Sequence, residues 1–99
     1  MKQQIVDHFT SSAKTALASG EMLAEEIGRA SRSMLDTLDN GGKLLLCGNG
    51  GSATDAMHFS AELLVRFLKE RKALPAVALV SDTATLTATG NDYAFDQIF

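Results

Sequence analysis

The sequence predicts an α/β fold built around a parallel sheet. Two short apolar runs without polar alternation, KLLLC at 43–47 and AVALV at 76–80, are typical of strands buried on both faces of such a sheet. Between them lie a glycine-rich turn, GNGGS, and a helix-like stretch from about 53 to 69. Strand, helix and strand in that order make one βαβ unit.

Composition narrows the classes of partner. The chain has 99 residues, a net charge of -3 and no run of Lys or Arg, so it lacks the basic surface that binds nucleic acids and anionic membranes. The single cysteine, Cys47, cannot form an internal disulfide. The apolar runs are far shorter than the ~20 residues of a membrane-spanning helix. We expect a soluble, cytoplasmic protein whose partners are small molecules or proteins.

The first 39 residues predict two helices. Apolar residues recur there every three or four positions, from Ile5 to Leu38. Gly20 is the expected break between the helices. DNGGK at 39–43 is the expected stop, because glycine accepts the positive φ that ends a helix.

The end of the chain predicts an incomplete domain. After the second strand come a loop, a short helix, a turn at GND (90–92) and the start of another helix, whose apolar pattern runs from Tyr93 to Phe99 without a capping residue. Two parallel strands need cover on both faces and both edges, and one βαβ unit with two helices does not readily supply it. We expect one domain, completed by further chain or by oligomer contacts.

The glycine turn has three interpretations. GNGGSA at 48–53 matches the dinucleotide-binding fingerprint, and Asp82 follows the next strand, where a ribose-binding acid would lie. Against a nucleotide, Asp55 would place a negative charge beside the pyrophosphate, and Asp82 lies well beyond the ~20 residues usual for the ribose acid. A sugar-phosphate site and a simple tight corner are the other two interpretations.

The helix after the turn carries a narrow ionisable stripe. At about 100° per residue, Asp55, His58, Glu62 and Arg66 fall within an arc of about 80°, and most other positions are apolar. Such a stripe is typical of a helix that lines a cleft. His58 and Glu62, four residues apart, can reach one metal ion, or one can orient the other for proton transfer.

Several of these residues also have a purely structural interpretation. A His and a Glu at this spacing often form a hydrogen-bonded pair on an exposed helix, Arg66 can pair with Glu62, and Ser52 can cap the helix. Cys47 is interpreted as a core residue and His8 as a surface or interface residue. Catalytic zinc takes at least three protein ligands, so the two available here need partners outside this chain or on another subunit.

Two long segments resemble a known family. GGKLLLCGNGGSATDAMHFSAELLVRF and LPAVALVSDTATLTATGNDYAFDQIF are similar to the N-terminal half of the phosphoheptose isomerases, within the sugar-isomerase (SIS) domain family. The resemblance implies a flavodoxin-like α/β sandwich and a homotetramer assembled through the helices of 1–39, with 40–99 as the first part of the SIS domain. It also implies conversion of sedoheptulose 7-phosphate to D-glycero-D-manno-heptose 7-phosphate, a cytoplasmic step toward lipopolysaccharide.

The resemblance further implies roles for individual residues. His58 and Glu62 would be ligands of a zinc ion in each subunit, and Glu62 would be the base of an enediol mechanism. The residues expected to bind substrate are Asn49, Gly50, Gly51, Ser52, Glu62, Arg66, Asn91 and Asp92. The family's phosphate loop and its further His and Gln lie beyond Phe99, so catalysis by this chain alone is not expected.

Two other functions are compatible with the same pocket. A related branch of SIS proteins is a scaffold for the bacterial replication initiator; it shares the glycine turn and the histidine but lacks a glutamate at the position of Glu62. A sugar-phosphate sensor would keep the pocket and need no base. Glu62 together with Asp55 favours the enzyme.

Overall fold

The computed structural model describes all 99 residues, Met1–Phe99. The elements are α1 (Lys2–Asp39), β1 (Leu44–Leu46), α2 (Gly51–Leu64), β2 (Ala76–Ala78), α3 (Thr83–Asp92) and a 3-10 helix at Phe95–Gln97. The chain divides into two units, Met1–Leu35 and Asp36–Phe99. None of the helices combines the length and the apolar character needed to cross a membrane.

A single helix, α1, occupies the segment for which the sequence predicts two. The predicted break at Gly20 is wrong, because the helix continues through it. One glycine in a helix interior costs about 1 kcal/mol relative to alanine, and strong helix formers around it, such as Ala18 and Glu21, offset a cost of that size. No residue of α1 is buried. Its exposed large apolar residues are Ile5, Val6, Phe9, Leu17, Met22, Leu23, Ile27 and Leu35.

Helix α1 ends at the glycine pair that the sequence predicts. Gly41 adopts a φ of 76°, a conformation that residues with a side chain disfavour. The N–H of Gly42 then donates to the carbonyl of Thr37 at 2.8 Å, and the N–H of Gly41 donates to that of Leu38 at 3.0 Å. These bonds satisfy carbonyls that the end of the helix leaves without partners.

The predicted βαβ unit is present. Strands β1 and β2 pair in parallel, with Leu44 opposite Ala76, and α2 packs against both strands. Each strand is three residues long, shorter than the apolar run that predicts it. The buried side chains lie where α2 meets the sheet: Ala56, Ser60 and Ala76.

The prediction that the strands are buried on both faces is wrong within this chain. Leu45 and Val77 are register partners and so lie on the same face, and they are 61% and 44% exposed. Within the unit Asp36–Phe99, α2 is the helix that packs against these strands. One face of the sheet is therefore open.

Helix α3 differs from the prediction at its C-terminal end. The GND segment, 90–92, forms the last turn of the helix and not a separate turn. The helix continues because the N–H of Tyr93 still bonds to the carbonyl of Thr89 at 3.0 Å. Only a short 3-10 helix follows it, at Phe95–Gln97.

At its N-terminal end, α3 is capped by Asp82. The carboxylate accepts hydrogen bonds from the Thr85 hydroxyl at 2.6 Å and from the Thr85 N–H at 3.0 Å. These bonds, the hydroxyl first, lower the pKa of Asp82 below its ordinary value. A helix cap accounts for this residue without a bound ribose.

Candidate active site

Two glycines of the turn between β1 and α2 are there for steric reasons. A Cβ on Gly48 would lie 2.6 Å from the carbonyl oxygen of Ser52, which is closer than a carbon and an oxygen can pack. Gly50 has a φ of 58°, in the left-handed region that favours glycine. Gly51 meets no such restriction. The turn is thus a tight corner, whatever else it does.

The corner also uses backbone donors that an anion site would need. The N–H of Ser52 donates to the carbonyl of Asn49 at 3.0 Å, and the N–H of Ala53 donates to that of Gly50 at 3.1 Å. The first N–H groups of a helix are those that bind pyrophosphate in dinucleotide sites. With two of them donated inside the turn, and with Asp82 capping α3, the nucleotide interpretation is disfavoured. The N-cap residue is Gly50, so Ser52 lies inside the first turn of α2 and is not its cap.

The ionisable stripe on α2 brings three of its predicted members together. His58 Nε2 lies 3.0 Å from Glu62 Oε1, and the two side chains are 76% and 36% exposed. Asp55, His58 and Glu62 line one depression of about 330 Å³, with Phe59 and Phe67 as its apolar wall. Two potential acid–base groups therefore face solvent beside an apolar surface, as the side wall of a cleft would.

A neighbouring depression connects this stripe to the glycine turn. Its volume is about 490 Å³, and its lining includes Asp55 and Phe59, which also line the first, together with Ser52 and Cys47. Cys47 is exposed, so its interpretation as a core residue is wrong. The reason is that β1 ends at Leu46 and the next residue has already left the sheet.

Arg66 does not belong to the stripe. Helix α2 ends at Leu64, several residues before the predicted end, so Arg66 leaves the helical arc. Its Nε pairs with Glu70 Oε1 at 3.2 Å, and both side chains are largely exposed. The predicted pairing of Arg66 with Glu62 is therefore replaced by a pairing within the loop after α2.

The remaining candidates for substrate binding lie on other elements. Asn49, Gly50 and Gly51 are exposed in the glycine turn and the start of α2. Asn91 and Asp92 end α3, where the Asn91 amide donates to Asp92 Oδ1 at 2.8 Å. The structure thus holds two separate polar pairs, one on α2 and one on α3.

Sequence reasoning missed Arg71. This residue lies in the polar segment between α2 and β2, and its guanidinium donates to the main-chain carbonyls of Glu62, Leu63 and Lys72 at 2.6, 2.8 and 3.0 Å. A basic side chain near a helix C-terminus is a recognisable signal. The signal was misleading because the predicted helix ran to about 69, which put the free carbonyls near 66–69 and not at Glu62 and Leu63.

The donor atoms of the α2 pair are of the kinds that zinc binds. His58 Nε2 and Glu62 Oε1 are a nitrogen and a carboxylate oxygen on consecutive turns of one helix. No group of three or more His, Cys, Asp or Glu in the structure is arranged to hold a metal ion. The chain thus offers two donor atoms at this place that fit zinc in type.

Relatives of known name share this sequence over its whole length. Phosphoheptose isomerases of Shewanella loihica and Shewanella sediminis are each 54% identical to it over 99 residues. Each match takes in 100% of this chain and 50% of the relative. The chain therefore spans about half the length of the curated relatives it matches.

Solved structures and a family model agree with that similarity. The phosphoheptose isomerase from Neisseria gonorrhoeae superposes with a TM-score of 0.86 at 43% identity, over 99% of this chain and 50% of that one. The enzyme from Francisella tularensis gives 0.86 at 41% identity, over 100% of this chain and 50% of that one. The predicted fold class is confirmed. The model of the SIS domain matches residues 8–99, and this chain belongs to the SIS domain family.

Proposed function

We propose that this chain forms part of a ketose–aldose isomerase that converts sedoheptulose 7-phosphate to D-glycero-D-manno-heptose 7-phosphate. The observation that carries the proposal is the His58–Glu62 pair, 3.0 Å apart, on a helix that starts at the glycine turn. Relatives named phosphoheptose isomerase at 54% identity support it. In a cell, the product would serve cytoplasmic synthesis of the heptose of lipopolysaccharide.

The reaction needs a base that can be protonated and deprotonated in turn. A proton leaves C1 of the ketose and the oxygen on C2 takes up a proton, which gives an enediol. A proton then returns to C2, the hydroxyl on C1 gives up its proton, and C1 becomes the new carbonyl carbon. A carboxylate can carry out both transfers. Oε1 of Glu62 bonds to His58 and would bind zinc once the metal is present, which leaves Oε2 to exchange that proton with the sugar. The partial exposure of Glu62 makes it accessible to a substrate.

The proposed cofactor is zinc. His58 and Glu62 would hold it, together with ligands from outside this chain. When bound, zinc would polarise the carbonyl oxygen of the sugar and stabilise the negative charge of the enediolate. In this proposal the hydrogen bond between the two side chains orients them before the metal binds.

The proposed sugar contacts come from exposed polar groups near the pair. Asn49 and Ser52 would bind the sugar from the glycine turn, and Asn91 and Asp92 from the end of α3. Arg66, exposed and held only by Glu70 at the surface, would reach a neighbouring subunit's site.

Self-association is part of the same proposal. The apolar side chains exposed along α1 are a surface suited to burial against copies of the helix. A homotetramer assembled through α1 would also bring ligands and sugar contacts from one subunit to the site of another.

The deciding experiment is turnover of sedoheptulose 7-phosphate. The gene product as the cell makes it is assayed with zinc, beside the chain ending at Phe99. We expect activity from the cellular product only. If the folded product fails to turn over the sugar with zinc supplied, the isomerase proposal is wrong, and binding of the sugar phosphate without turnover would identify a sensor instead.

A further inference from the structure

One side chain supplies half of the hydrogen bonds that satisfy the C-terminal end of α2. The last four carbonyls of an α-helix have no partner within it. At the end of α2, the carbonyl of Ala61 accepts from the N–H of Val65 at 2.9 Å, and that of Leu63 accepts from the N–H of Leu74 at 3.0 Å. Arg71 donates to the carbonyl of Leu63 as well, and it supplies the bond at 2.6 Å to the carbonyl of Glu62.

This arrangement connects Arg71 directly to the main chain of the candidate base. Glu62 lies in the last turn of α2, where helices open most easily. The guanidinium bridges two successive carbonyls of that turn with separate nitrogen atoms and also contacts the carbonyl of Lys72 in its own loop. A planar fork that binds three fixed acceptors restrains both segments in a way that a single ammonium cannot.

The charge of Arg71 favours the same arrangement. The C-terminus of a helix carries a partial negative charge, which a cation stabilises. Arg71 also lines, with Glu62, Phe59, Leu63 and Phe67, a depression of about 320 Å³. It therefore lies next to the site as well as at the end of the helix that builds it.

We infer that Arg71 is a positioning residue for Glu62. By holding the carbonyls of Glu62 and Leu63, it fixes the last turn of α2 and so sets the place of the Glu62 carboxylate relative to His58. Arg71 does not contact the reacting atoms. The inference rests on the proposed function, because it takes Glu62 as the base. The expected effect is large, since misplacing a reacting group by about 1 Å can cost as much as 100-fold in rate.

The test uses Arg71→Ala, Arg71→Lys and Lys72→Ala in the gene product as the cell makes it. Lys72→Ala is the matched control, since it removes the same charge from the adjacent position and the exposed Lys72 side chain makes no hydrogen bond or ion pair. For Arg71→Ala we expect kcat to fall by about tenfold or more with a KM within about threefold of wild type. Arg71→Lys keeps the charge but cannot span the carbonyls of Glu62 and Leu63, so its kcat should lie between those of wild type and Arg71→Ala. Added guanidinium should restore part of the kcat of Arg71→Ala.

Amide hydrogen exchange over residues 61–65 is the second measurement. Exchange should be faster in Arg71→Ala than in wild type or Lys72→Ala, because the last turn opens more often. If Arg71→Ala does not fold, Arg71→Lys is measured in its place, and a lower kcat with faster exchange still supports the inference.

The outcomes separate this inference from the proposed function. A kcat of Arg71→Ala within about twofold of wild type overturns the inference, and so do equal losses in Arg71→Ala and Lys72→Ala. If wild type does not turn over the sugar, the proposed function fails, and amide exchange alone then tests the role of Arg71. Faster exchange confined to the Arg71 variants would show that Arg71 restrains the last turn of α2, and unchanged exchange would refute that role.

Discussion

At the scale of single residues, the candidate base is exposed at its side chain and fixed at its backbone. The Glu62 carboxylate is 36% exposed and bonds to His58, while its carbonyl accepts from Arg71. An amide of the same size keeps the contacts of this partly exposed side chain, so its effect on stability should stay within the ~0.5 kcal/mol that is usual for surface substitutions. Function and stability are therefore separable at this position.

Replacement of Glu62 by glutamine should abolish most turnover and leave the fold and the oligomer intact. The amide keeps the size and can still bond to His58, but it cannot take a proton, and general-base catalysis is worth roughly 10²- to 10⁴-fold. Steady-state kinetics and size-exclusion chromatography of the cellular product measure both effects. Glu70→Gln removes the same charge from a nearby loop and serves as the control.

The zinc content of the same variant separates the two roles proposed for Glu62. Zinc retained at the wild-type level with turnover lost identifies the residue as a base. Zinc lost together with turnover identifies it as a ligand. Turnover near the wild-type rate would remove Glu62 from the mechanism.

Residue spacing predicted part of this site and misplaced part of it. The four-residue interval between His58 and Glu62 sufficed to predict their contact, because α2 extends far enough to include both residues. Arg66 was misplaced and Arg71 missed for a common reason: no glycine or proline marks the end of α2 at Leu64. The end depends on a side chain seven residues further on, and helix periodicity carries no information about such a contact.

At the scale of elements, the positions where helices and strands end were harder to predict than the presence of those helices and strands. Gly20 shows that one glycine among helix formers does not end a helix, whereas the pair at 41–42 ends α1 because Gly41 adopts a positive φ. The strands were identified from apolar runs and are shorter than those runs. Backbone pairing decides where a strand stops, and pairing depends on the neighbouring strand and not on local hydropathy.

The cap of α3 gives a prediction about acid stability. The folded-state pKa of Asp82 is lowered below 3.8, chiefly by the hydroxyl of Thr85. A lowered pKa contributes stability that is present above the unfolded value and is lost as the pH falls through the folded value. Asp82→Asn keeps a capping side chain but has no proton to gain. The free energy of unfolding of Asp82→Asn minus that of wild type should be most negative above pH 3.8. The difference should become smaller as the pH falls further, because the wild type then loses the contribution of its charged cap.

Urea unfolding of both proteins across the acid range measures this effect. Thr85→Val is the matched variant, because it removes the hydroxyl that contributes most to the lowered pKa. It should show a weaker acid dependence than wild type. A difference between Asp82→Asn and wild type that stays constant over the whole range would contradict the prediction.

At the scale of the whole molecule, the chain leaves most of its large apolar side chains in solvent. The buried apolar side chains are those of Ala56 and Ala76, and the open face of the sheet presents Leu45 and Val77. The sequence predicted this shortage of cover, because two parallel strands cannot enclose themselves. What covers each surface was beyond sequence reasoning, since that depends on atoms outside the chain.

The chain also offers fewer metal ligands than a zinc site needs. With two donors on α2, we expect the chain ending at Phe99 to bind zinc weakly or not at all, because zinc sites in proteins take three or four protein ligands. Isothermal titration calorimetry, with circular dichroism to confirm helix content, measures this. His58→Ala is the control for adventitious binding. Tight, stoichiometric zinc in the short chain that is lost in His58→Ala would refute the expectation.

The steric origin of the glycine turn has an evolutionary consequence. Gly48 and Gly50 are required by a close approach and by a left-handed backbone, so selection for folding alone would preserve them. The side chains of His58 and Glu62 are exposed and partly exposed, and no backbone geometry requires either of them, so selection for folding alone would constrain them less. A descendant that lost catalysis would keep these two glycines and could lose the glutamate. In a genome survey, Gly48 and Gly50 would therefore mark the ancestry of a protein, and Glu62 would mark whether it is still a catalyst.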